Sequence, residues 1–500
     1  MKNSHRHIGR ALFFALALCS LLLILLWGSS GPLAAQGPED DGSSTREQYL
    51  QRWQETVENT SPWLGPGLFD EPCVDGFAGP FPCDGVDLLA WIPLEQLGAV
   101  GNPDTMNGND IWGWTDPEEG TEYVIMGHSS GATFVDITDP VSPTIVGILP
   151  PNTPLNFGHL WGDYKIYENT MYKTNESAFE GVQVFDLTEL RDATPGTVFT
   201  HTTVYEGLGN AHNIAINTDT GYAYPIGATG SDDVECGGSG GLHIIDIQDP
   251  LNPTHAGCFN DDGYTHDTQC VIYSGPDPDY QGQEICFNSN EDTVTIVDVT
   301  DKANPVQLSR VGYDTAAYTH QGWLTEDQTY FLQDDELDEV QGLVPGTTTY
   351  IWDVSDLDDP VLIGTYQPGN TSIDHNLYII GNVAYEANYR SGLRIVDITD
   401  IANANLSQLA FFDTYPEDDI PDFAGAWSVY PFFDSGVLAV GDFTRGLFLL
   451  RWTGAPTAVT VGEVNAGSPG VSVSLVLALF GGVTALLVGR QVLKRRQREQ

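Results

Sequence analysis

Residues 241–259 read GLHIIDIQDPLNPTHAGCF. Leu242, Ile244 and Ile245 start a short apolar strand that ends at Asp246 and Ile247. Asp249-Pro250 and Pro253 then turn the chain, because proline fixes φ and offers no N–H to a ladder. Residues 254–259 form a second short strand. The same pattern stands at 132–149 (ATFVDITDPVSPTIVGIL), 292–311, 348–366 and 392–413, with weaker copies at 181–190 and 446–453. The strand-ending acid falls at Asp136, Asp186, Asp246, Asp298, Asp353 and Asp397, with Arg451 in the last copy, at spacings of 44–60 residues. A period of about 50 residues made of short strands is the mark of a propeller blade.

Two more strands precede each copy, as at 211–217 and 221–227, so one repeat supplies four strands. The fold predicted is all-β: a seven-bladed β-propeller over residues 85–453. The last copy stops at Trp452 without a fourth strand. Residues 86–93 (VDLLAWIP) form an isolated strand that resembles the fourth strand at 361–366 (VLIGTY). The expectation is that this N-terminal strand fills the gap and closes the ring, which removes exposed sheet edges. Residues 37–84, polar and rich in Gly and Pro, read as a spacer with a disulfide loop.

The two ends carry an address. An apolar run at 11–27 follows Lys2, Arg6 and Arg10 and precedes small residues at 28–35, so residues 1–36 read as a signal peptide. Residues 454–470 read as a flexible linker. Residues 471–489 read as a transmembrane helix and 490–500, with Arg490, Lys494, Arg495, Arg496 and Arg498, as a basic cytoplasmic tail. The expected location is the cell surface, with a single membrane pass and the propeller outside. The whole chain carries a net charge of −50, but residues 37–489 hold 11 basic against 68 acidic residues, a net −57. Such a surface repels phosphate backbones, which argues against nucleic acid as a partner and favours cations.

Six cysteines lie outside the signal segment, and no C-x-x-C occurs. In an exported chain that even count predicts disulfides. The propeller arrangement pairs Cys73–Cys83, Cys236–Cys258 and Cys270–Cys286.

The repeated VDITDP-x-x-P motif resembles the LVIVD-repeat proteins. Longer segments, among them 107–120 (NGNDIWGWTDPEEG), 211–224 (AHNIAINTDTGYAY), 319–328 (THQGWLTEDQ) and 425–436 (GAWSVYPFFDSG), resemble the choice-of-anchor B family over residues 80–455. That resemblance implies a propeller-like region fixed to the cell by a variable C-terminus. It implies a fold and an address, and no particular reaction.

The innermost strand of each blade opens with Asp110, Asp163, His212, His266, His320, His375 or Trp427. Strand order places these on one face at the mouth of the central channel. Loops between second and third strands open on the same face and bring Glu176, Glu291, the acidic run Asp334-Asp335-Glu336 and Arg390. Glu291, Asp335 and Arg390 complete the expected ligand-binding face. Two readings of the histidines stand side by side. Repetition at one position favours a structural tie between neighbouring blades. Convergence of His212, His266, His320 and His375 suits a transition metal, and the acidic loops suit calcium. The segment 334–339 (DDELDE) reads as a solvated loop, with a calcium site as the alternative. The resulting expectation is a surface module that binds an extracellular ligand or protein through its acidic, His-rich face. The alternative is a metal-dependent hydrolase or oxidoreductase with a His/Asp site on the axis.

Overall fold

The computed structural model describes residues 65–100, 106–231 and 233–454. Seven sheets follow one another along the chain, antiparallel except where residues 197–198 join the first. Blade one spans 108–149, two 162–205, three 213–259, four 267–311, five 319–366, six 376–412 and seven 426–452. The signal, linker, membrane and tail segments lie outside the described residues. Among the described residues no helix is long and apolar enough to cross a membrane.

The closing strand is where the sequence puts it. Val86–Ile92 pairs antiparallel with Gly446–Trp452, Leu447 opposite Ile92 and Trp452 opposite Val86. A local irregularity identifies it as a fourth strand. In blades one, three, four, five and six the register slips by one residue between the third and fourth strands, at Phe134/Val135, Ile244/Ile245, Ile296/Val297, Ile351/Trp352 and Ile395/Val396. The same slip occurs at Leu449/Leu450 against Val86–Ile92. Such a bulge bends the outer strand and adds twist. Beside it sits a small residue, because the next blade packs there. A Cβ on Gly257 would overlap the Lys302 carbonyl, and one on Gly147 the Thr197 carbonyl. Blades seven and one are joined by the Gly108 N–H donating to the Phe443 carbonyl at 2.8 Å and the Ser435 N–H to Glu122 at 3.0 Å.

The repeated acids make turns. Asp136, Asp186, Asp246, Asp298, Asp353 and Asp397 each accept the N–H two residues on through Oδ1, at 2.8–3.0 Å. That is the Asx turn expected of an aspartate ending a strand. Apolar clusters fill the seams between neighbouring blades all round the disc, so each sheet buries both faces. All three expected disulfides form.

Two departures matter. Residues 37–84 are not all spacer. Leu68–Glu71 adds a strand outside Val86–Ile92, and the hairpin of Phe77–Ala78 and Phe81–Asp84 adds to the outer edge of blade six. Cys73–Cys83 therefore ties one added segment to the other across the seam of blades six and seven. Blade two is the irregular copy. Its third strand, Val182–Asp186, runs into a 3-10 turn, Leu187–Leu190, and residues 197–198 pair with blade one before Thr203–Tyr205 returns as fourth strand.

Candidate metal centre

His212, His266, His320 and His375 do converge. They stand at the start of the innermost strands of blades three to six, with neighbouring ring centroids 4.2, 4.3 and 4.2 Å apart. Trp427 of blade seven ends the row 5.1 Å from His375. The row is wired in one direction. His266 Nδ1–H donates to the His320 carbonyl at 3.0 Å, His320 Nδ1–H to the His375 carbonyl at 3.1 Å, and His375 Nδ1–H to the Trp427 carbonyl at 2.5 Å. His212 breaks the pattern, its Nδ1 meeting Glu176 at 2.8 Å. The blade-tying role read from repetition is therefore real.

The tie also prepares a ligand set. A histidine that spends Nδ1–H on a carbonyl carries its lone pair on Nε2. Glu336 lies opposite, its carboxylate oxygens 3.7 Å from His320 Nε2 and 3.5 Å from His375 Nε2. The potential ligand atoms of His266, His320 and Glu336 all lie within 4.8 Å of one another. The Tyr389 hydroxyl donates to Glu336 at 2.5 Å and orients it. Burial, followed by repulsion from His375, His266 and His212, holds His320 well below the ordinary imidazole range. Burial pushes His375 down to about 3. Neutral imidazoles and a carboxylate are what zinc and its neighbours bind.

The centre is closed. The four imidazoles are 0–4 % exposed. Leu160, Trp161, Tyr318, Tyr389, Phe423 and Trp427 belong to one buried apolar cluster around them, with Tyr318 and Tyr389 rings 5.1 and 4.5 Å from His266 and His375.

Other expected residues sit elsewhere. Asp163 is one position off the imidazole row. Its Oδ2 accepts the Ile214 N–H at 2.9 Å, just as Gln321, the residue after His320, accepts the Leu377 N–H at 3.0 Å. A slip of one residue in a strand turns the side chain to the other face. Asp163 and Asp110 instead meet Lys165, at 2.5 and 3.4 Å, while Lys165 lies over Trp112. Burial, opposed by Lys165 and aided by Asp163, raises Asp110 well above the carboxylate range. Among the described residues no metal-ligand group joins either aspartate to the imidazoles. Asp335 holds backbone: it accepts the Ala317, Tyr318 and Leu337 N–H groups and the Tyr313 hydroxyl. Glu336, one residue on, is the carboxylate that faces the histidines. Glu291 takes a left-handed φ of 57° and bridges Thr319 through its backbone. Arg390 pairs with Asp418 and Asp422 at 2.6 and 3.0 Å. Asp110, Asp163, Asp335 and Arg390 are buried with the histidines. The expected binding face is thus largely interior.

The LVIVD repeat family matches residues 374–415, which is blade six with its opening His375. No curated protein matches the chain. Similar solved structures include a protein from Lactobacillus plantarum, 13 % identical over 67 % of this chain and 89 % of that one, TM-score 0.43. The WD40 β-propeller domain of Doa1 is 11 % identical over 69 % of this chain and 92 % of its own, TM-score 0.45. The computationally designed Ika8 protein is 9 % identical over 79 % and 100 %, TM-score 0.43. The chain is a repeat-built propeller.

Proposed function

We propose that this protein is a binding or scaffold module displayed outside the cell, its propeller clamped by one transition-metal ion on His266, His320 and Glu336, with His375 beside Glu336. The observation that carries the metal is the one-way wiring of the row, which leaves Nε2 of His320 and His375 beside one carboxylate. These ligands are buried under an apolar cover, as in a closed structural site, whereas a catalytic site keeps one position open to water or substrate. The closed centre therefore favours the module over a metal-dependent hydrolase or oxidoreductase. The net charge of −57 on residues 37–489 supports cation capture and disfavours nucleic acid. The apolar segment 471–489 with its basic flank, and the likeness to the choice-of-anchor B family, support a single-pass membrane tether with the propeller outside.

Elemental analysis of the full-length protein in detergent tests the centre. About one zinc-class ion per chain is expected, with tetrahedral cobalt absorption after chelation and cobalt loading. Both are lost in His266→Ala/His320→Ala and in the conservative Glu336→Gln. A protein that takes up neither zinc nor cobalt, or whose uptake survives all three changes, overturns the assignment.

A further inference from the structure

Beside the imidazole row lies a second group that the sequence reads as solvated. Asp334 is the last residue but one of the second strand of blade five, Asp338 and Glu339 follow in its loop, and Asp374 precedes His375 at the start of blade six. All four are 0–6 % exposed. The potential ligand atoms of Asp338, Glu339 and Asp374 lie within 4.8 Å of one another. The Asp334 carboxyl lies within hydrogen-bonding reach of Asp374 and so extends the cluster.

Seven of the eight carboxylate oxygens, both of Asp334, Glu339 and Asp374 and Oδ1 of Asp338, meet no side-chain donor, and only the Glu339 N–H approaches the Asp338 and Glu339 carboxylates. The eighth, Asp338 Oδ2, accepts the Tyr350 hydroxyl at 2.6 Å. Among the described residues no lysine, arginine or histidine forms an ion pair with any of the four. Buried ionised carboxylates without donors or counter-charges are costly unless they hold a cation or take up protons. Nearby Glu386 is different: its oxygens accept from Thr349 and Asn388.

We infer that Asp334, Asp338, Glu339 and Asp374 form a calcium site that pins the loop of blade five to the entrance of blade six. Calcium takes six to eight oxygens in irregular geometry, and four carboxylates supply up to eight without a nitrogen donor. Magnesium asks for a near-ideal octahedron and keeps its waters, which a dry, crowded cluster does not favour. The imidazole centre and this one thus select different ions by ligand softness. The site stands on its own oxygen atoms and does not require the transition metal.

Calorimetric titration of calcium into chelator-treated full-length protein in detergent is the test. One calcium per chain is expected, with magnesium weaker by about 10-fold or more. Asp374→Asn/Glu339→Gln should weaken calcium by about 100-fold, or about 2.7 kcal/mol. The calcium-induced rise in Tm should vanish with it. His320→Ala should lose zinc-class metal and keep calcium, so failure of one centre is told apart from failure of the other. Two results overturn the proposal. One is a wild-type protein that takes up no calcium at millimolar concentration. The other is calcium binding unchanged in Asp374→Asn/Glu339→Gln. Should the double variant not fold, Asp374→Asn alone, read by the same titration, decides.

Discussion

Removal of residues 68–92 should abolish the monomeric native state. Val86–Ile92 is the fourth strand of blade seven, and its loss bares the edge of Gly446–Trp452. It also empties two seams at once. Val86, Leu88 and Trp91 pack between blades six and seven, and Leu89, Ala90 and Ile92 between seven and one. Burial of each large apolar side chain contributes about 1.5–3 kcal/mol, so five of them reach on the order of 10 kcal/mol. That is comparable to the whole stability of an ordinary domain, about 5–15 kcal/mol. Trp91 alone stacks on Phe448 and donates Nε1–H to the Arg445 carbonyl at 2.9 Å, so Trp91→Ala should cost about 3–5 kcal/mol. Size-exclusion chromatography and urea unfolding followed by circular dichroism provide the check. Aggregates or a chain without a cooperative transition are expected. A shortened monomer that melts like the full chain contradicts the role given to this strand.

The second large effect is expected at Glu180→Gln. Glu180 is fully buried in blade two and gathers donors from four residues. Thr153 Oγ1 lies at 2.5 Å, the Asn152 and Thr153 N–H groups at 2.7 and 2.8 Å, Lys173 Nζ at 3.3 Å, and His159 Nε2 at 3.6 Å. Lys173 is buried too and has Gln183 as its other partner. Burial opposes the charge on Glu180, but the bond to His159, the Lys173 ammonium, the Thr153 hydroxyl and the Asn152 N–H outweigh it. Its carboxyl is therefore held well below the ordinary range. Glutamine keeps the shape, loses the charge and leaves Lys173 buried without an anion, a change that costs about 3–5 kcal/mol. The sign with pH follows. A depressed folded pKa means that the contribution is complete above the unfolded value of about 4.3 and fades as pH falls below it. Stability curves of the two proteins, far apart at pH 7, should approach one another on going from about pH 4.5 towards 2. A gap at pH 7 under about 1 kcal/mol, or one that does not narrow in acid, would show that Glu180 does not carry this charge cluster.

The disc was legible because its repeats state the same local physics many times. An apolar strand ending in an aspartate, a proline turn and another strand recur, and the turn role of Asp136 and its counterparts follows from side-chain reach alone. The closing strand was legible as well, because a blade short of one strand and a strand short of a blade imply each other. The small residue at each bulge, Gly147, Gly257, Ser309, Gly364, Ala410 or Ala90, repeats in the sequence and is a signal of blade contact that periodicity by itself does not expose.

The site was legible only in outline. The four histidines repeat at one position and could be aligned. Blade two opens with Trp161-Gly162-Asp163 and has no histidine at that position, so chemistry points to Asp163 where the register puts Gly162. In the run Asp334-Asp335-Glu336 three acids in succession hide which one faces inward as the strand ends. Its burial is a tertiary fact: a string of charges looks solvated until the apolar cluster with Tyr318, Ile373 and Phe423 is seen around it. The strands at 68–84 escaped notice because they lie on outer edges, where residues such as Phe69 and Phe77 stay exposed and no inside-outside alternation marks them.

The place where the chain leaves the disc has a mechanical meaning. Gly454 follows directly on Gly446–Trp452, which is bonded along both sides, to Val437–Asp442 and to Val86–Ile92. A pull on the downstream chain therefore loads two ladders together in shear. In blades two, three, four and five the last strand of the repeat is an outer one, paired along a single side. The disc thus resists a pull at this end of its last strand better than it would at a strand paired on one side only.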